Sequence, residues 1–129
     1  MGIVRQVIHS DQAPKAIGPY SQAMRVGDMV FMAGQIPLDP VTMQMVEGDF
    51  EQESRRVFEN IKAVIAASGG TFRQVVKVTI FITDFANFAK VNELMAKYFT
   101  EPYPARSTVA VAALPRNARV EIECTLHLG

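Results

Sequence analysis

The chain carries one cysteine, Cys124, so no disulfide can form within it and a reducing compartment is the expectation. Histidine is almost as scarce. His9 and His127 stand far apart in sequence, and nothing has the spacing of a metal site. Neither sign of charge is in excess, since 13 Lys and Arg balance 13 Asp and Glu. Nucleic-acid binders usually show a basic surplus or stripe, so that class is disfavoured. No run of about 18 apolar residues is present to span a membrane. The amino terminus, MGIVRQVIHS, lacks the apolar run and the small-residue cleavage site of a secretory signal. After Met1-Gly2, Gln6 stands where a myristoylation motif needs Ser or Thr. The expectation is a soluble, cytoplasmic protein. Its 129 residues suit one domain, 1–129, able to bury roughly two-thirds of its unfolded surface.

What is present reads as alternating strands and helices. Ile3 to Ile8 is a short strand, and Tyr20–Val26 and Met29–Ala33 form a hairpin around Gly27-Asp28, where glycine supplies positive φ. Gln35 to Gly48, with Pro37 and Asp39-Pro40, reads as a loop. Asp49 with Gln52 three residues on forms a capping box. The helix it opens carries an apolar stripe of Val57, Phe58, Ile61, Val64 and Ile65, with Glu51, Arg55 and Glu59 spaced for pairing on another side. Gly69-Gly70 ends it. Val75–Ile82 is a β-branched strand, and Asp84 caps a second helix with Phe88, Val91, Leu94, Met95 and Tyr98 inward. Pro102 and Pro104 stop that helix, and strands Arg106–Ala113 and Arg119–Leu128 follow.

The last strand alternates cleanly. Val120, Ile122, Cys124, Leu126 and Leu128 face one way; Arg119, Glu121, Glu123, Thr125 and His127 face the other. Met29–Ala33 and Val75–Ile82 instead carry apolar side chains on both faces, and two helices can cover only one. The uncovered face calls for a second copy, packed sheet to sheet. Within PARSTVAVAALPRNARVEIE, Pro104 to Glu123, an arginine at the mouth of one strand and a glutamate on the next suggest neighbouring strands that present a cation and a base to a small carboxylate.

That stretch resembles the carboxy-terminal signature of the YjgF/RidA family of enamine/imine deaminases. IGPYSQA at Ile17–Ala23, AGQIPLDP at Ala33–Pro40 and the NIKAVIAASGG helix end resemble the same family in the same order, over nearly the whole chain. The resemblance implies an α+β, chorismate-mutase-like (bacillus-type) fold: about six strands in a mixed sheet, two helices on one face, assembled as a homotrimer with clefts between subunits. It implies short 2-imino or 2-enamino acids as substrates, hydrolysed to 2-keto acids and ammonia without a bound cofactor.

By the same resemblance Arg106 is the carboxylate anchor, a guanidinium fork that stays charged at any relevant pH. Read alone it is a surface arginine. Glu121 is implied to position the attacking water; the competing reading is an ion pair with Arg119 or Arg116. Glu123, one pleat on, has a structural role. Tyr20 is implied to reach the cleft from the adjacent subunit, or else to be a core tyrosine. Gly34 allows close backbone approach to a ligand. Asn92 is a candidate cleft amide, although helical asparagines more often face solvent. Two positions depart from the best-known members: Thr108 stands where cysteine is common, and Ala33 where serine is. Thr108 keeps a hydroxyl beside Arg106, and Ala33 loses a hydrogen bond that could tune substrate range. Thr42-Met43 replaces a usual Thr-Gly turn and should affect only the loop. Besides the deaminase, the residues allow a small-molecule-binding regulator using the same cleft, and a chaperone-like or ribonuclease role. Neutral charge and the lack of a histidine pair argue against the ribonuclease.

Overall fold

A computed structural model describes residues 4–129, so the expected strand start at Ile3 and the Met1-Gly2 terminus lie outside the described residues. Six strands form one sheet in the order β1-β2-β3-β6-β4-β5. They are β1 Arg5–Ile8, β2 Ala23–Val26, β3 Met29–Met32, β4 Val75–Ile82, β5 Ala105–Ala110 and β6 Val120–His127. Only β4 and β5 pair in parallel; the other neighbours are antiparallel, so the sheet is mixed. Two helices, α1 Phe50–Ala67 and α2 Phe88–Tyr98, pack on one face of it.

The alternation in β6 dictates that face. Val120, Ile122 and Leu126 are fully buried, and so are Val78, Ile80 and Ile82 of β4, Phe58, Ile61 and Val64 of α1, and Val91 and Leu94 of α2. Each buried aliphatic side chain of this size contributes roughly 1.5–3 kcal/mol of transfer free energy. The Asp49/Gln52 capping box forms as its spacing predicts, with Gln52 N donating to Asp49 Oδ1 at 2.9 Å and Asp49 N donating to Gln52 Oε1 at 3.0 Å. At the far end Gly69 takes φ +83° and Gly70 N donates to Ile65 O at 3.1 Å, closing the helix.

Several boundaries differ from the expectations, and the reasons are local. Tyr20, Ser21 and Gln22 do not belong to β2. Gln22 turns inward, accepting from Ser10 N at 2.6 Å and donating to Pro14 O at 2.8 Å, so the chain before Ala23 is a pinned loop. Asp84 caps a 3-10 turn, Phe85–Asn87, rather than α2 itself, and α2 continues from that turn. β5 ends at Ala110, three residues before the expected Ala113, and β3 and β6 each stop short of their expected ends by one residue. The 35–48 loop is partly ordered by bridges Gln35↔Ile122 and Leu38↔Met45.

One correction matters for function. The strands that carry Arg106 and Glu121 are not neighbours, because β4 lies between β5 and β6. The sheet face opposite the helices carries Val7, Met24 and Phe31 along one rung, with Val7 60% and Phe31 51% exposed, and Phe81 beside Val109 on another. The apolar character of both faces of β3 and β4, read from sequence, thus leaves a partly bare apolar sheet.

Candidate functional site

Register decides where the polar groups point. Arg106 is level with Val78, and Thr108 with Ile80, so both lie on the helix-side face of the edge strand β5. Glu121 is level with Phe81, on the open face. The two groups therefore diverge, and with β4 between them their strands are about 10 Å apart in the sheet. A three- or four-carbon acid cannot touch both within one copy.

Each group has its own hollow. The first, of about 380 Å³, is lined by Asn92, Met95, Ala96, Tyr103, Pro104 and Arg106. Arg106 Nη1 donates to Asn92 Oδ1, and its guanidinium carbon lies 5.4 Å from the centre of the Phe88 ring. Met95 Sδ accepts from the same Nη1 at 3.8 Å. Among the described residues nothing accepts from Nε or Nη2, so a planar edge stays available for a carboxylate. Asn92, expected as a cleft amide, lines the same hollow, where its Oδ1 orients the arginine. Thr108 Oγ1 is buried with no hydrogen-bond partner among the described residues.

The second hollow, of about 510 Å³, gathers Glu121 with Tyr20, Ala33 and Gly34, walled by Gln35, Ile36 and other loop residues. Tyr20 thus accompanies Glu121, not Arg106, and it is exposed rather than a core tyrosine. Its hydroxyl accepts from Ile17 N at 3.4 Å. Burial raises the Glu121 pKa above the usual carboxylate range, and the like charge of Glu123 adds to this. Glu121 makes no ion pair among the described residues. Arg119, one of the partners weighed for it, is clamped to Glu53 instead, with Nε donating to Oε2 at 2.6 Å, and Arg116 pairs with no described carboxylate. Glu123 is exposed on the open face opposite Thr79.

Gly34, expected to let the backbone approach a ligand, lines this hollow and also stands against Glu121. A Cβ built there would collide with Glu121 Oε2 and sit 2.9 Å from Cδ and 3.0 Å from Cγ. The glycine makes room for the carboxylate itself. Gly34→Ala should push Glu121 off its position and cut turnover by about tenfold to a hundredfold, since displacements near 1 Å cost on that order. Steady-state rates beside an unchanged Arg106 hollow would check this; a fully active Gly34→Ala protein would refute it. Met43 also corrects an expectation. It holds φ +59°, the left-handed conformation that a glycine adopts without strain, and it lines the Glu121 hollow, so the departure is not confined to the loop's own backbone.

Sequence reasoning missed Phe88 as a platform for Arg106, Gln22 as the pin of the Tyr20 loop, and Lys15 on the rim of the Glu121 hollow, while Arg116, weighed as an ion-pair partner, lines that rim without pairing to a described carboxylate. No described group of three His, Cys, Asp or Glu could hold a metal ion, and no described helix is long and apolar enough to cross a membrane. Cys124 is buried, with its thiol pushed up to about 12 by desolvation first and Glu123 second.

The family model described as endoribonuclease L-PSP matches residues 10–128. The chain belongs to the YjgF/RidA family. It is similar to protein DfrA of Myxococcus xanthus, at 60% identity over 94% of each chain. It is 50% identical to the 2-iminobutanoate/2-iminopropanoate deaminase of Dermatophagoides farinae, over 92% of this chain and 93% of that one. Among solved structures, RidA from an Antarctic Psychrobacter superposes with a TM-score of 0.91 at 48% identity, covering 95% of this chain and 98% of its own. Across the YjgF/RidA match the two hollows fall on the motifs that carry the resemblance: Tyr20 in GPYSQ, Gly34 in AGQIP, Arg106 and Glu121 in the carboxy-terminal signature.

Proposed function

We propose that this chain is a deaminase that hydrolyses short 2-imino and 2-enamino acids, such as 2-iminobutanoate and 2-iminopropanoate, to 2-keto acids and ammonia. The observation that carries the reading is the division of labour between the hollows. One offers an unspent guanidinium edge; the other offers a carboxylate without a counter-ion, next to a hydroxyl. Relatives named for that deaminase activity support it.

The chemistry asks little of the protein. The imine carbon is already electrophilic. Arg106 would bind the substrate carboxylate in a fork, with Thr108 on the same face of β5 but outside the lining of the hollow, and Glu121 would hold a water against C2 and accept its proton as the oxygen adds. The imine nitrogen takes up a proton, and the resulting carbinolamine collapses to the ketone as ammonia leaves and the hydroxyl proton is given up. Tyr20 would donate to the substrate while its ring limits access of bulk water. Ala33 offers no hydrogen bond there, and Gly34 admits the carboxylate.

Both groups can act on one small substrate only if a second copy brings its Arg106 hollow to the first copy's Glu121 hollow. A homotrimer of chorismate-mutase-like subunits, with the bare sheet faces turned inward, is the assembly we propose, working in a reducing cytoplasm. The RNA-cleaving reading has the family description behind it. Neither His9 nor His127 lines either hollow, so an imidazole acid–base pair is missing there.

The test couples a threonine dehydratase to this protein and follows 2-oxobutanoate release from the imine. Hydrolysis should exceed the spontaneous rate, and no acceleration would sink the deaminase. The pH profile carries a sign: Glu121 must be ionised to accept a proton, and its pKa is raised above 4.5. kcat/KM should therefore fall as pH drops through a midpoint above that value, and Glu121→Gln should abolish the limb.

A further inference from the structure

Behind the Glu121 hollow, on the helix side of the sheet, α1 buries a polar side chain whose hydrogen bonds reach the hollow's wall. Asn60 is 0% exposed. Its Nδ2 donates to Leu38 O at 2.9 Å and to Ile36 O at 3.2 Å, and its Oδ1 accepts from Arg56 Nε at 3.0 Å. All three bonds serve the 35–38 segment or the helix beside it. The other ties of that segment among the described residues are Gln35 N donating to Ile122 O at 2.9 Å, Ile122 N to Gln35 O at 3.1 Å, Val46 N to Pro37 O at 2.9 Å, and Leu38 N to Ile36 O at 2.7 Å within the segment itself. Gly34, Gln35, Ile36 and Leu38 form one wall of the hollow, with Gly34 against the Glu121 carboxylate.

We propose that Asn60 is a positioning residue for Glu121, acting through the Gly34–Leu38 wall that its amide holds against the carboxylate. The inference rests on reading Glu121 as the group that handles the attacking water. The chemistry of the position is specific. An amide supplies two donors for two carbonyls and one acceptor for a guanidinium. Aspartate would supply no donor, and leucine would leave Leu38 O unpaired inside the core while Ile36 O kept only its bond from Leu38 N. Glutamine would add a methylene to a filled space. Arg56, which orients the amide, also faces Asp39, whose carboxylate accepts from Val41 N at 2.8 Å and Thr42 N at 3.0 Å. The same helix face thus fixes both the wall and the turn that follows it.

A loosened wall would admit water to Glu121, which predicts a change that mere loss of stability would not produce. The other groups bearing on this carboxylate are Glu123 on its own strand, and Lys15, Tyr20 and Arg116 on the loops around the hollow. On β4 the facing rungs carry Phe81 and Thr79, with Lys77 beyond them donating to Ser107 Oγ. The experiment titrates the Glu121 side-chain carboxyl by carbon NMR in the wild-type chain, Asn60→Ala, Arg56→Met and the control Ile65→Ala. The midpoint should move down toward the ordinary carboxylate value in Asn60→Ala, and by less in Arg56→Met, whose site is only partly buried and whose folding is not at risk. With imine substrate, kcat should fall about tenfold in Asn60→Ala with little change in KM. Ile65→Ala should lower the melting temperature and leave the midpoint where it was. An unmoved midpoint in both Asn60→Ala and Arg56→Met would overturn the proposal, as would an equal movement in Ile65→Ala. If Asn60→Ala does not fold, Arg56→Met alone decides. The titration does not depend on turnover, so an inactive wild type would count against the deaminase while the midpoints still judge Asn60.

Discussion

Arg106→Ala should lower kcat/KM for 2-iminobutanoate by about a hundredfold or more while the melting temperature barely changes. The size follows from the geometry. A fork makes two charge-assisted hydrogen bonds, each worth roughly 1.5–3 kcal/mol, and every 1.4 kcal/mol is about tenfold. The small stability effect follows from position: Arg106 is exposed on the edge strand, and what it loses is an amide contact and an aromatic platform. Arg106→Lys is the sharper experiment. Lysine keeps the charge but replaces the planar fork by a point donor, and it cannot lie on Phe88 while reaching Asn92 in the same way. It should recover no more than about a tenth of the wild-type rate, because orientation of the carboxylate sets which face of the imine meets water. Initial rates with the coupled dehydratase, together with melting curves, check both variants. Full activity in Arg106→Lys would mean that charge alone is sufficient and that the orientation account is wrong.

Much of the fold was legible because local signals agreed with one another. The capping box at Asp49, the stripe from Val57 to Ile65 and the Gly69-Gly70 stop all specify α1, and the structure returns that helix. The strict alternation of β6 assigns each of its side chains to a face. Strand order was not legible. Arg106 and Glu121 are close in sequence, and a turn at Leu114-Pro115 invites the pairing of the strands that flank it. Instead β4 inserts between them, because β5 and β4 run parallel and are connected through α2. No local pattern encodes such a crossover. The site suffered in the same way: the motif residues were found, but which of them share a hollow depends on register. Asn60 was invisible for a different reason. An asparagine at a helix position reads as solvent-facing unless the carbonyls it must satisfy, more than twenty residues away in sequence, are already in view.

The divergence of Arg106 and Glu121 leads to the second large effect, which tests assembly and chemistry together. Arg106→Ala and Glu121→Gln should each be nearly inactive, the latter because a general base commonly contributes about a hundredfold to ten-thousandfold. Mixed in equal amounts and refolded together, they should regain activity. If every site takes Arg106 from one copy and Glu121 from its neighbour, random assembly leaves about one site in four with both groups native, whatever the size of the ring. The recovered rate should then approach a quarter of wild type, measured with the same imine assay after co-refolding and compared with each variant refolded alone. A chain carrying both substitutions, refolded with wild type, separates the alternatives further. Were both groups supplied by one copy, half of the sites in that second mixture would stay active and none in the first. With groups drawn from two copies, both mixtures converge on about a quarter. Equal, fractional recovery in the two mixtures is an outcome that only a shared site produces.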